Sequence, residues 1–351
     1  MVAIERSPLT RRTVLSGAAA MLVAGFAAAP RAAAHGPAPE IRSAADYGGE
    51  LLALTAEGES ASPYALRRLA ADADRRVSLG DRLALDFPAG FHPHSMAARG
   101  RTLWVTGAVD ELVKTVTVDN RSDALPPRFA SLASPGDADP ALPDAVVDVD
   151  VYRARPALVR FRDGRASYVD LPAPAQIRSG AATAVALPGE RAVAVVVEGA
   201  PETGLAMITR SHLALSPDDG RTWRHGLVAD GLGEGYGTVL AAAGDRLYAV
   251  AADGEGNQSA YTGGTAEAAL GFVAAQEGAG RPMAAVPTGE GEVSVFSDRD
   301  GQVSKARFGR RGRVLGPPDD ECGCAGEVIA IRGRLGAWLE VDGGVVRAQG
   351  L

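Results

Sequence analysis

The stretch "HLALSPDDGRTWRHGLV" runs from His212 to Val228. Apolar and polar residues alternate on either side of its centre, as they do along half-buried strands. Between the flanks lies Asp218-Asp219-Gly220. Aspartate side chains bond back to nearby backbone groups, and glycine accepts positive φ, so this triplet is turn chemistry. The stretch reads as a β-hairpin. Two adjacent aspartates also suggest acid catalysis, but both stand where the turn needs them, and the turn reading is preferred.

Outward from this hairpin a phrase recurs. A short apolar strand ends at a glycine-containing turn, and a second alternating strand follows. It reads "HSMAARGRTLWVTGAVDE" from His94 and "ATAVALPGERAVAVVVEGA" from Ala182, and it returns from Gly237, Met283 and Glu327. The charged turn residues Arg101, Arg191, Arg246, Glu292 and Arg334 mark its register, with spacings of 90, 55, 46 and 42 residues. The first spacing is about double and holds further strand-like sequence. Upstream, "GGELLALTAEG" from Gly48 fits the second half of the phrase.

A period of roughly 40–55 residues with about four short strands each is the pattern of propeller blades. A four-stranded blade has two apolar faces and cannot cover both alone; stacking blades in a ring covers them and leaves only short edges. The run "AVAVVV" is apolar on both faces, as a strand between two blades must be. The expectation is an all-β propeller of seven blades, with six as the alternative, formed by residues 48–351 as one domain. "PYALRRLAADADRR", Pro63 to Arg76, reads either as a helix or as a strand pair. The last repeat runs out of chain, so an N-terminal strand is expected to complete it and close the ring.

The N-terminus carries a different signal. Arg11 and Arg12 precede an apolar run from Val14 to Ala29, and Ala32-Ala33-Ala34 offers a small-residue cleavage site. The run "TRRTVL" resembles the twin-arginine export signal. That resemblance implies residues 1–34 as a cleaved leader, the twin-arginine translocase as export partner, and a periplasmic or secreted location. The apolar run is too short and too rich in Ala and Gly for a good span, and no other segment is apolar enough to cross a membrane. Cleavage removes four Arg and one Glu and takes the net charge from −7 to −10. The Gly- and Pro-containing segment 35–47 is expected to be flexible. Basic residues form no stripe, which argues against a nucleic-acid partner.

Ser216, Asp218, Gly220, Thr222 and Trp223 complete the pattern S-x-D-x-G-x-T-W. It resembles the Asp-box of sialidases and related bacterial neuraminidase repeat propellers. "VFSDRDGQV", Val295 to Val303, keeps Ser297 and Gly301 at the same spacing but has Arg299 in the aspartate position, and is at best a degenerate copy. The resemblance implies a hairpin between the third and fourth strands of a blade. It gives Gly220 the unusual backbone angle, Ser216 and Asp218 hydrogen bonds within the turn, and Trp223 a place between blades. It also implies that the box lies away from the central pocket. A sialidase would need an F/Y-R-I-P motif, and the nearest string, "LVRFRDG", has Phe161-Arg162 without the Ile-Pro. Tyr236 beside Glu234 can be posed as the family's Tyr/Glu nucleophile unit.

Two clusters hold ligand-type side chains, His92 with His94 and Cys322 with Cys324. Each precedes the first strand of a repeat, and in a propeller those entry loops line one mouth of the channel. Together they could bind Cu or Zn. Alternatively the cysteines form a local disulfide, or stay unpaired, and the histidines are polar loop residues. The acidic segment with Asp137, Asp139, Asp144, Asp148 and Asp150 lacks the order of a Ca²⁺ loop and reads as a solvated loop. The functional expectation is an exported module that binds a protein or carbohydrate through the channel mouth. A sialidase-like glycoside hydrolase and a metal-binding propeller are the alternatives.

Overall fold

The computed structural model describes residues 39–57, 63–119, 146–169, 171, 179–200, 209–232, 237–264, 268–289, 291–309 and 326–351. The described residues form 22 strands and no helix, and so no helix long and apolar enough to cross a membrane. The proposed leader, residues 1–34, lies outside them.

The strands group into blades. The first has β1 (Glu40–Tyr47), β2 (Glu50–Ala56), β3 (Tyr64–Ala71) and β4 (Val77–Arg82). The second has β5 (Phe91–Arg99), β6 (Thr102–Asp119), β7 (Val146–Arg162) and β8 (Arg165–Val169). The third has β9 (Ser179–Ala186), β10 (Val193–Ala200), β11 (Arg210–Ser216) and β12 (Arg224–Ala229). The fourth has β13 (Thr238–Ala243), β14 (Arg246–Ala252), β15 (Gln258–Gly264) and β16 (Gly271–Gln276). The fifth has β17 (Arg281–Gly289), β18 (Glu292–Arg299) and β19 (Gln302–Phe308). The sixth has β20 (Glu327–Arg332), β21 (Trp338–Asp342) and β22 (Val345–Gln349). Among the described residues six blades are seen, the lower of the two counts expected. Their first strands, β1, β5, β9, β13, β17 and β20, touch in turn, and β20 returns to β1. The all-β propeller is thus a closed ring around a central channel.

Burial explains the stacking. Val193 through Val197 of β10 are all 0% exposed, so this strand is covered on both faces. Ala194 and Val196 pack with Leu240, Leu247 and Ala249 of the fourth blade. Val193, Val195 and Val197 pack with Trp104 and Leu158 of the second. Alternate residues therefore serve opposite neighbours, as the pleat requires.

The ends differ from expectation. Glu40–Tyr47, assigned from composition to a flexible segment, is strand β1, with Ala44 and Ala45 fully buried. β1 does not supply an outer strand for the last blade. It pairs in parallel with the innermost strand β20, through Ala44–Ile331 and Ala45–Arg332. The outer edge of β22 meets the β3–β4 turn, where Ala348 N donates to Arg75 O at 2.8 Å. Leu69, Ile331, Leu339 and Ala348 share one core across this closure. Pro63 to Arg76 belongs to a strand pair and its turn rather than to a helix.

Candidate functional site in the central channel

Strands alternate in direction within every blade, so each first strand begins at the same mouth of the channel and third-to-fourth hairpins lie on the opposite face. The octet Ser216–Trp223 is such a hairpin, joining β11 to β12. Ser216 Oγ accepts from the N–H groups of Asp218 (3.3 Å) and Gly220 (2.8 Å) and donates to Asp218 Oδ1 (3.0 Å). Asp218 also accepts from Thr222 N and Thr222 Oγ1, both at 2.8 Å. Trp223 Nε1 donates to Gly220 O at 3.2 Å, and its ring packs on the core between the second and third blades. Gly220 has φ 79°, and a Cβ there would lie 2.6 Å from Val169 Cγ1. The Thr222 N–H and the other donors hold the Asp218 carboxyl below its ordinary range.

The degenerate copy is built differently. Ser297 to Gly301 spans the β18–β19 hairpin, between second and third strands. It closes as a two-residue turn with Asp300 at φ 53° and Gly301 at φ 84°, held by one bond from Gly301 N to Asp298 Oδ1 at 2.8 Å. Arg162 stands at the β7–β8 turn with its side chain 60% exposed, on the octet's face and not in the channel.

The channel holds a cavity of about 140 Å³ lined by residues from all six first strands. Three of its lining residues sit at β-bulges. A bulge inserts an extra, unpaired residue and re-aims its side chain. In β1 the pairing skips Arg42, between Ile41–Thr55 and Ser43–Leu54. In β5 it skips His94, between Pro93–Gly107 and Ser95–Thr106. In β17 it skips Met283, between Pro282–Ser297 and Ala284–Phe296. Arg42, His94 and Met283 all line the cavity. The pairing in β9 likewise skips position 183. Gly107, opposite the β5 bulge, is required there: a Cβ would lie 2.1 Å from His92 O.

His94 is half-buried, but both ring nitrogens are enclosed. Nδ1 lies 3.0 Å from the Ala182 carbonyl oxygen, and Nε2 has no hydrogen-bond partner. A carbonyl only accepts, so Nδ1 carries the proton and Nε2 presents a bare lone pair. Burial pushes the imidazole down to about 4, and the positive charge of Arg42 adds to this against the pull of the Ala182 carbonyl. The ring is therefore neutral at pH 7. Arg42 Nε is likewise enclosed without a hydrogen-bond partner, 3.7 Å from Glu40 Oε1. Its guanidinium lies 5.3 Å from the Tyr64 ring centroid.

The rest of the wall is polar at its two ends. Thr238 donates to Glu198 Oε2 at 2.8 Å behind the cavity. Burial pushes this carboxyl up to about 7, against the pull of the Thr238 hydroxyl and Gly237 N–H. Glu327, at the entry of β20, is also raised by burial. At the far end of β20, Arg332 Nη1 donates to the carbonyls of Leu240 and Ala285, tying three blades across the floor of the channel.

His92 and His94 take separate partners. His92 lies in β5 rather than in the loop before it, with Nδ1 3.3 Å from Tyr64 Oη and Nε2 3.2 Å from Asp110 Oδ2. Among the described residues no group of three or more His, Cys, Asp or Glu side chains could hold a metal. Cys322, Cys324, Glu234, Tyr236 and the acidic positions Asp137, Asp139 and Asp144 lie outside the described residues.

No protein-family model and no curated protein matches the chain. Solved structures do. A Trypanosoma rangeli sialidase bound to 2,3-difluoro-KDN is similar with a TM-score of 0.50 and 11% identity, over 89% of this chain and 53% of that one. The Aleuria aurantia lectin in complex with Fucα1-6GlcNAc is similar with a TM-score of 0.51 and 9% identity, over 88% and 90%. A protein of unknown function from Dyadobacter fermentans gives 0.52 and 13%, over 88% and 93%. The chain spans about half the length of the sialidase. At these identities the likeness is one of fold: the chain is a β-propeller, and its fold is similar to those of the sialidase and the lectin.

Proposed function

We propose that this protein is an exported β-propeller that binds carbohydrate at the mouth of its central channel. The observation that carries the reading is the set of bulges in β1, β5 and β17, which turn Arg42, His94 and Met283 into one cavity. Arg42 and His94 bring a guanidinium and a neutral imidazole to that cavity and Met283 an apolar surface, the mixed lining of a small-molecule site. The sugar-bound sialidase and lectin with similar folds support the ligand class by analogy.

In this reading residues 1–34 are the twin-arginine leader and the protein acts in the periplasm or outside the cell. The octet Ser216–Trp223 is an Asp-box with a structural role. The test is a thermal-shift and titration screen of mono- and disaccharides against the processed chain. Saturable binding that competes between sugars is expected; no binding across the panel would refute the reading. Turnover of a fluorogenic sialoside that is lost in Tyr236→Phe would favour the hydrolase instead.

A further inference from the structure

We infer that the floor of the channel is an anion site, in which one edge of the Arg332 guanidinium, Nε together with Nη2, holds a small monovalent anion such as a carboxylate or a halide. The site lies at the other end of the cavity from the mouth, and it stands whether or not the mouth takes sugar.

Arg332 closes β20, and its side chain crosses the channel toward the fourth and fifth blades. A guanidinium has five N–H groups. Those of Nη1 go to the carbonyls of Leu240 and Ala285. The other three, one on Nε and two on Nη2, have no hydrogen-bond acceptor among the described residues. They are not sealed off either. Arg42 Nε and His94 Nε2 are enclosed, whereas Arg332 Nε and Nη2 are open, and the cavity they open into is the one Arg332 lines. Two parallel N–H groups on one edge grip a carboxylate through both oxygens, and the same pair can converge on a single halide.

The charge on that edge lacks a counter-charge. Burial pushes the Arg332 guanidinium down to about 10, so it still carries its proton at pH 7, and no acidic side chain acts against this push. Glu327 and Glu40, the acidic residues of the lining, begin β20 and β1. They stand five residues from Arg332 and from its pairing partner Ala45, about 16 Å along an extended strand. Asp46, the residue after Ala45, is held by Arg334 at 2.6 Å. A buried charge is costly unless it is paired. The carbonyls of Leu240 and Ala285 supply dipoles but no charge. A small anion in the cavity supplies the charge and accepts from the free edge at once.

The experiment follows the melting temperature of the processed chain at pH 7 and constant ionic strength, as sodium acetate or sodium bromide replaces the sodium salt of a bulky sulfonate. The parent should rise saturably with either anion, and Arg332→Met should show no such rise. Arg332→Lys keeps the charge without the two-donor edge and should weaken acetate about tenfold. Arg332 ties three blades, so crystals of the parent grown in bromide decide the matter if the variants do not fold. An anomalous peak within hydrogen-bond reach of Nε and Nη2, displaced by acetate, is expected. Glucuronate that also displaces the bromide identifies the carboxylate of a larger ligand as an occupant, and bromide that stays in saturating glucuronate identifies a free ion; either outcome supports the site. A melting temperature that responds alike to acetate, bromide and the sulfonate overturns the inference, as does a folded Arg332→Met with the parent's response or a parent crystal with no bromide at Arg332. Sugar binding at the mouth is scored separately, so its failure leaves this inference standing.

Discussion

The two faces of the third blade's neighbourhood treat polar atoms in opposite ways. In the Ser216–Trp223 hairpin the Ser216 hydroxyl, the Asp218 carboxylate, the Thr222 hydroxyl and the Trp223 indole each have partners within the octet. At the channel mouth, Arg42 Nε and His94 Nε2 are enclosed without a hydrogen bond, Arg42 Nε having only Glu40 Oε1 at 3.7 Å. A satisfied network rigidifies, whereas polar atoms without hydrogen bonds stay available to water or a ligand. The carboxyls show the same contrast. Asp218 is held low by the N–H groups around it, and Glu198 is pushed up to about 7 by burial. The hairpin is closed on itself, and the mouth gathers charged, polar and apolar side chains from several blades around one cavity.

The contrast breaks first at Gly220. Gly220→Val must hold φ 79° with a branched side chain and place its Cβ against Val169. It should lose about 3 kcal/mol or more in urea unfolding, because both backbone strain and overpacking act at one position. A variant as stable as the parent would mean the hairpin fastens nothing.

The carboxyls sharpen it next. Glu198 binds its proton more tightly folded than unfolded, so its contribution to stability is present below the ordinary carboxylate range, about 4.5, and is lost as pH rises through about 7. Glu198→Gln keeps the Thr238 contact without the charge and should gain roughly 2–3 kcal/mol over the parent at pH 8, with little difference at pH 4. Asp218 has the opposite sign: its contribution is present above the ordinary range and is lost as pH falls through its lowered value. Melts of Asp218→Asn across pH 2–5 should therefore be flatter than those of the parent.

A smaller loss is expected at Ser216. Its side chain is fully buried and accepts from two backbone N–H groups. Ser216→Ala should cost about 1–3 kcal/mol, while sugar binding below the melting temperature stays within twofold of the parent. Smallest is the degenerate copy. Asp298→Ala removes one exposed hydrogen bond and should cost about 0.5 kcal/mol, measured by the same unfolding curves. Equal losses at Ser216 and Asp298 would erase the distinction between the two hairpins.

Much of the fold could be read from the residues. The run Val193 to Val197 announced a strand covered on both sides, and it feeds two cores. The Gly-containing turns at Arg101, Arg246 and Glu292 fall between the first two strands of their blades. The mouth was less legible, for a geometrical reason. From the sequence, His92 and His94 belong to an entry loop at the channel mouth, which is why they suggest a joint metal site with Cys322 and Cys324. They lie instead within β5, where residues two apart would share a face in a regular strand. The bulge at His94 breaks that period and sends them to different partners. A bulge is a mismatch in count between two strands and shows only once their register is known. Arg42 and Met283 were missed on the same ground. Gly107 was the one local sign, a glycine inside a strand pattern. Glu198 likewise ends an apolar run as an unremarkable charge; only the neighbouring blade shows that it is buried against Thr238.

The account stands on where a ligand sits. The most direct measurement is a crystal structure of the processed chain soaked with its tightest-binding sugar. The account predicts the sugar in the channel, against the side chains of Arg42, His94 and Met283, and the Ser216–Trp223 hairpin unchanged. A sugar bound on the outer strands or against that hairpin, with the channel free of it, would contradict the account.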